Sequence, residues 1–112
     1  MTMSLIRFNM IDPTLEPSSL SDRYRAMLEM AAFADEHEFF MATFEEHHGT
    51  TNAWSPTPLL NAAMVLARTS SLGATISALL LPLHDPIRVA EDIAVIDLVS
   101  RGRLTTILGL GY

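Results

Sequence analysis

No cysteine occurs anywhere in the 112 residues. Disulfides and thiolate metal sites are thereby excluded, and a cytoplasmic location is expected. Positive charge is scarce: Lys and Arg number 7 against 13 Asp and Glu, giving a formal charge of -6. Phosphate recognition needs clustered basic side chains, so nucleic acid is not an expected partner. Long apolar runs are missing as well. The longest, Ala78 to Leu83, is far short of the roughly 20 residues that span a bilayer, so no membrane association is expected. Met1 to Met10 has no basic region leading into a long apolar stretch and does not read as a secretory signal. Low-complexity and disorder-prone segments are also lacking. What remains is a chain for a core. Hydrophobic residues make up 49% and charged ones 18%, in a length that suits one small domain.

Periodicity divides the chain into alternating elements. Leu5 to Met10 reads as a first strand, followed by a loop from Ile11 to Ser21 that holds Pro13 and Pro17. Ser21 is placed to cap a helix ending near His37, whose apolar positions Tyr24, Met27, Leu28, Ala31 and Ala34 share one face. Phe39 to Phe44 has no helical period and reads as a buried strand, which runs into Glu45-Glu46-His47-His48-Gly49. A polar loop with Trp54 leads to Pro58 and a second helix, Leu59 to Ser70. Ala74 to Leu81 is apolar almost throughout, as a strand buried on both faces is. Asp85 and Pro86 are a good cap and first residue for a third helix ending near Ser100, with Val89, Ala90, Ile93, Ala94 and Ile96 on its periodic face. Gly102 stops that helix. Arg103 to Leu108 is a fourth strand, and Gly109-Leu110-Gly111-Tyr112 follows.

The order is β-α-β-α-β-α-β with a repeat of roughly 30–35 residues, the size of a βαβ unit. Parallel strands with helical crossovers follow. A dinucleotide-type open sheet wants a glycine-rich turn after the first strand, and Ile11-Asp12-Pro13 has none. The favoured fold class is α/β, the N-terminal half of a (β/α)8 TIM barrel with about four β/α units. A whole barrel needs about 200–250 residues, so residues 1–112 are expected to be an incomplete barrel. The alternative is a small open four-stranded α/β domain.

In a parallel barrel the strand C-termini share one rim, and chemistry sits there. Three of the four histidines, His47, His48 and His84, fall on that rim. His37 does not; it ends a helix. Glu46, His47, His48 and His84 together would be acceptable ligands for zinc or iron. Adjacent side chains on an extended chain point to opposite sides, which argues against His47 and His48 sharing one ion. General acid–base work by one histidine, oriented by a neighbouring Glu, is the better functional reading. Hydrogen-bonded loop histidines with no catalytic role are the plain alternative.

Beyond these patterns, the sequence resembles the N-terminal half of the luciferase-like monooxygenases, the flavin-linked barrel family that includes bacterial luciferase. The matching segments are Glu46-His47-His48-Gly49, the run from Leu79 to Asp92 through Pro82, His84 and Pro86, Leu98 to Leu104 with its Ser100-Arg101-Gly102-Arg103 turn, and Gly109-Leu110-Gly111-Tyr112. They cover nearly the whole chain, in order. The resemblance implies an oxidoreductase that inserts one oxygen atom from O2 into a small organic substrate via reduced flavin (FMN). It implies His47 as the catalytic histidine, acting on oxygen-derived flavin intermediates or as base toward the substrate, with Glu46 orienting it. It implies flavin contacts at Ser77 and Ala78, joined by an unusual peptide bond, and at Gly109 and Gly111. Its partners would be a flavin reductase supplying reduced flavin and, for the full-length protein, further copies in a homo-oligomer. No metal is implied. A dehydrogenase or reductase using the deazaflavin coenzyme F-420 on the same barrel is the alternative, and a truncated, non-catalytic fragment is a third. The chain departs from the family pattern at Leu110, where some members carry a phosphate-contacting arginine, at Glu38 in place of a glycine, and at Asp85, where luciferase has histidine.

Overall fold

The computed structural model describes residues 2–111. Tyr112, the end of the last expected rim segment, lies outside them. Four strands and three α-helices alternate: β1 (Leu5–Phe8), α1 (Pro17–Glu36), β2 (Met41–Phe44), α2 (Pro58–Arg68), β3 (Gly73–Leu80), α3 (Pro86–Ser100) and β4 (Leu104–Gly109). A single 3-10 turn, Leu81–Leu83, separates β3 from the loop to α3. All strand pairs are parallel, and their spatial order β1-β2-β3-β4 follows the chain. A doubly wound sheet would reverse order at a switch point. This sheet does not; α2 packs against both α1 and α3, so the helices form one layer. That is the arrangement of consecutive units in a barrel.

The strand register shows which face the helices cover. Phe8, Phe44 and Ile76 lie side by side across the sheet and are buried, as are Ala42 and Ala74 one step earlier. Against them pack Met27, Ala31 and Ala34 of α1, Ala62, Val65 and Leu66 of α2, and Val89 of α3. The expected face of α1 is therefore the one that meets the core. The alternate strand positions form a second row, Arg7, Thr43, Thr75 and Thr105, on the face without helices. Ser77 continues that face and is exposed. The expectation that β3 is buried on both faces holds for one face only, since no layer covers the other.

Several boundaries differ from the sequence reading. Helix α1 begins five residues early, at Pro17, and Ser21 lies within it rather than capping it. Proline at the first helical position costs nothing, because its missing N–H would have no partner there. Strand β1 stops at Phe8, and Met10 adopts a left-handed φ of 62°. Asp85 does cap α3, its carboxylate accepting the Arg88 amide at 2.9 Å. On α3 only Val89, Ile93 and Ile96 of the expected face reach the core, while Ala90 and Ala94 are exposed.

Candidate active site

The rim is built by four loops that follow the strands. After Phe44 the side-chain partners through His48 alternate between two sides of the chain, as on a strand. Glu45 and His47 take the open face, with Thr43 and Arg7. Glu46 and His48 take the other side, toward the loop after β3. Two adjacent carboxylates thereby enter two separate networks.

Glu46 is the buried one, with no exposed side-chain surface. Its Oε2 accepts the Leu80 amide at 2.6 Å. Its Oε1 lies 2.7 Å from both His48 Nε2 and His84 Nε2. Burial pushes this carboxyl up, but the Leu80 amide and the two imidazoles outweigh burial and hold it below the usual Glu value. A single side chain thus ties the ends of β2 and β3 to the 3-10 turn.

Glu45 forms the second network. Its carboxylate pairs with the Arg7 guanidinium. Its Oε2 accepts the Trp54 indole N–H at 3.2 Å and lies 3.3 Å from His47 Nε2. Burial again opposes ionisation, and Arg7, His47 and Trp54 reverse it, so the net shift is downward. The His47 ring rests on the Trp54 indole, with centroids 3.8 Å apart and planes at 36°. The loop carrying Trp54 is pinned in turn: His47 N–H donates to the Ser55 carbonyl, and Ser55 N–H donates to the Asn9 carbonyl, both at 3.0 Å.

These contacts revise the expected pairing. The Glu46 carboxylate bonds to His48 and His84, and the carboxylate beside His47 is Glu45. The sequence reading assigned no role to Glu45, Trp54 or Arg7. Alternation at i and i+2 was the signal that would have paired Glu45 with His47. The four-residue metal set is also split, because His47 turns to a different carboxylate from His48 and His84. Among the described residues no group of three or more His, Cys, Asp or Glu is placed to hold a metal ion.

Glu46, His47 and Gly111 line one open cleft of about 510 Å³, with Trp54, Leu80 and Leu110 also in its wall. The other expected cofactor residues stand at the neighbouring ends of β3 and β4. The Ser77–Ala78 peptide is cis, and the β3–β4 register shifts there, between Ser77 and Leu79. Gly109 packs against this irregularity: a Cβ on it would come within 2.9 Å of the Ala78 Cβ. Packing of β4 on β3 therefore suffices to require glycine at that position. A Cβ on Gly111 would meet nothing within 4 Å, but φ there is 84°, which favours glycine. Ser77, Ala78, Gly109 and Gly111 all carry small side chains or none, and of the four only Gly111 lines the cleft with His47. Among the described residues no Lys or Arg lines the cleft, so these residues offer no cationic anchor to a phosphate.

A larger groove, of about 630 Å³, runs between α2 and α3 on the helix side. It shares only His84 with the rim network.

Comparison with known proteins agrees with this architecture. A luciferase-like monooxygenase of Escherichia coli K12 is 28% identical over 113 aligned residues, 99% of this chain and 33% of that protein. The oxygenase component of the flavin-dependent trigonelline monooxygenase of Acinetobacter baylyi is 30% identical, over 72% of this chain and 22% of its own length. The oxygenating constituent of 3,6-diketocamphane monooxygenase from Pseudomonas putida, solved with FMN, superposes with a TM-score of 0.87. That likeness covers all of this chain and 30% of the other at 20% identity, and it shows the fold. The chain thus spans about a fifth to a third of the length of curated relatives it matches. The sequence profile of the luciferase-like monooxygenases matches residues 1–112, and the chain belongs to that family.

Proposed function

We propose that residues 1–112 form the N-terminal, histidine-bearing half of a flavin-dependent monooxygenase barrel that oxygenates a small organic substrate. The observation that carries this reading is the position of His47. It stands three residues past the C-terminal end of β2, on the open face of the sheet, and lines one cleft with Gly111. Family membership supports the activity, and the uncovered sheet face supports a barrel completed by further strands.

Reduced FMN, when bound, supplies the electrons for oxygen activation. Ser77, Ala78, Gly109 and Gly111 are the residues of this chain that would hold its ring. His47 is assigned the proton-handling role toward the reacting oxygen or the substrate. Its Nε2–H is directed to the Glu45 carboxylate, which steadies the cationic ring that forms when His47 takes up a proton. Glu46 acts at one remove, by fixing the segment that carries His47 against Leu80 and His84. Leu80, Leu83, Leu110 and Trp54 give the cleft an apolar wall suited to an uncharged substrate. The Acinetobacter relative is an oxygenase component, and by likeness a flavin reductase is the partner proposed here.

The test has three parts. The reading frame should continue past Tyr112 for about 200 residues with four more strand–helix units. That protein, given reduced FMN and O2, should consume oxygen, whereas titration with reduced F-420 should give no binding. His47→Ala should lower kcat by roughly 10²–10⁴-fold while FMN affinity is kept. Normal turnover by His47→Ala would remove the assigned role, and tight F-420 binding without oxygen uptake would replace the monooxygenase with a dehydrogenase or reductase.

A further inference from the structure

We propose that Glu45 is a positioning residue for His47, itself held in place by Arg7, and that Trp54 is the second surface against which the ring is set. This rests on the catalytic reading of His47. Arg7 and Thr43 are register partners across β1 and β2. Glu45 is two residues beyond Thr43 and faces the same side, so its carboxylate meets the Arg7 guanidinium diagonally. His47 is two residues further and shares that side again.

The carboxylate is mostly withdrawn from water, with 17% of its side-chain surface exposed. Arg7 keeps it anionic in that setting, and an anion rather than a neutral acid is what an imidazole N–H addresses best. One oxygen takes Arg7, and the other serves both Trp54 and His47. The imidazole is therefore held at its edge by Glu45 and on its face by the indole. Its backbone N–H is tied to the residue after Trp54, so main chain and ring are fixed to the same loop. Orientation of a proton-transfer group within about 1 Å is worth up to roughly 10²-fold in rate. Glu46, which faces the opposite side, is not in a position to supply it.

A Glu45 that served only as a surface ion pair for Arg7 would affect stability and leave the His47 ring where it is. The native enzyme distinguishes the two. In wild type, the indole ring current should displace the His47 ring-proton resonances, and Trp54→Phe should identify which displacement comes from Trp54. Glu45→Ala should remove that displacement and lower kcat about 10- to 100-fold at unchanged KM for substrate. Glu45→Gln keeps side-chain volume and loses the charge; it serves where the alanine variant fails to fold, and should give a smaller loss with the same sign. Arg7→Met should weaken the displacement in parallel with kcat. Retention of the ring-current displacement in a folded Glu45→Ala or Glu45→Gln protein overturns the proposal. Loss of the displacement with normal kcat overturns the catalytic reading of His47 instead.

Discussion

Glu38 follows α1 with a φ of 58°, a left-handed conformation that charges a non-glycine residue about 1 kcal/mol. Its side chain is exposed. Glu38→Gly should therefore raise the unfolding free energy by up to about 0.5 kcal/mol in urea melts, the net of relieved backbone strain and added chain entropy. Glu46 behaves in the opposite way. Glu46→Leu would strand the Leu80 amide and release both His48 and His84, at a cost of about 3 kcal/mol. A Tm drop under 2 °C would show that the carboxylate network contributes little. The contrast between these two glutamates was half legible in the sequence. A glycine, the family's residue at the Glu38 position, suits a left-handed turn, and the turn is there. The partners of Glu45 and Glu46 were open to the same alternation argument that separated His47 from His48. His84 could be placed on the rim but not paired, because its distance from Glu46 depends on how the 3-10 turn folds back.

Between elements, the fold relies on polar side chains that tie loops to helix ends. The Asp35 carboxylate, near the end of α1, accepts the amides of Ser70, Ser71 and Leu72 in the turn between α2 and β3, at 2.6–2.8 Å. Burial pushes its carboxyl up, and those three amides overcome burial, so the folded value lies below the ordinary one. A carboxylate lowered on folding adds stability above the unfolded value, near pH 3.9, and gives it up as pH falls through the folded value. Asp35→Asn should thus cost about 1–2 kcal/mol at pH 7 and flatten the stability loss below about pH 4. An acid limb identical to wild type would contradict this. Arg103 does comparable work one layer over. Its guanidinium donates to the Leu66, Thr69, Leu72 and Ser100 carbonyls and to Thr69 Oγ1, all within 2.8–3.0 Å. Arg103→Lys, unable to fork, should lose about 2–3 kcal/mol. The Ser100-Arg101-Gly102-Arg103 motif was legible as a turn; that its arginine closes the end of α2 was not, since the partners lie 31–37 residues away. Helix α1 shows the same limit. Its amphipathic face was readable, but its start at Pro17 was hidden by serines that suit either a cap or a first turn.

At the scale of the molecule, alternation of β and α elements was enough to read a parallel sheet, and the missing glycine turn after β1 pointed away from a doubly wound order. What the sequence could not show is how much apolar surface one helix layer leaves open. Leu5 and Ile107 are 57% and 51% exposed on strands at the two sheet edges, and Leu110 is 89% exposed at the rim. On α3, Val95, Leu98 and Val99 are 61%, 79% and 65% exposed. A sheet with two unpaired edges and one uncovered face is a template for association. The 112-residue polypeptide on its own should therefore sediment above its 12.3 kDa mass at micromolar concentration and bind a hydrophobic dye. Its net charge of -6 opposes this only at low ionic strength, so added salt should increase the apparent mass. Leu5→Lys with Ile107→Lys places charge at both edges, and Leu98→Glu places it on the helix layer. If the sheet face drives association, the lysine pair restores the monomer and Leu98→Glu does not; the reverse result would assign association to α3. A wild-type chain that stays monomeric and dye-silent in salt would show that the open face is not adhesive.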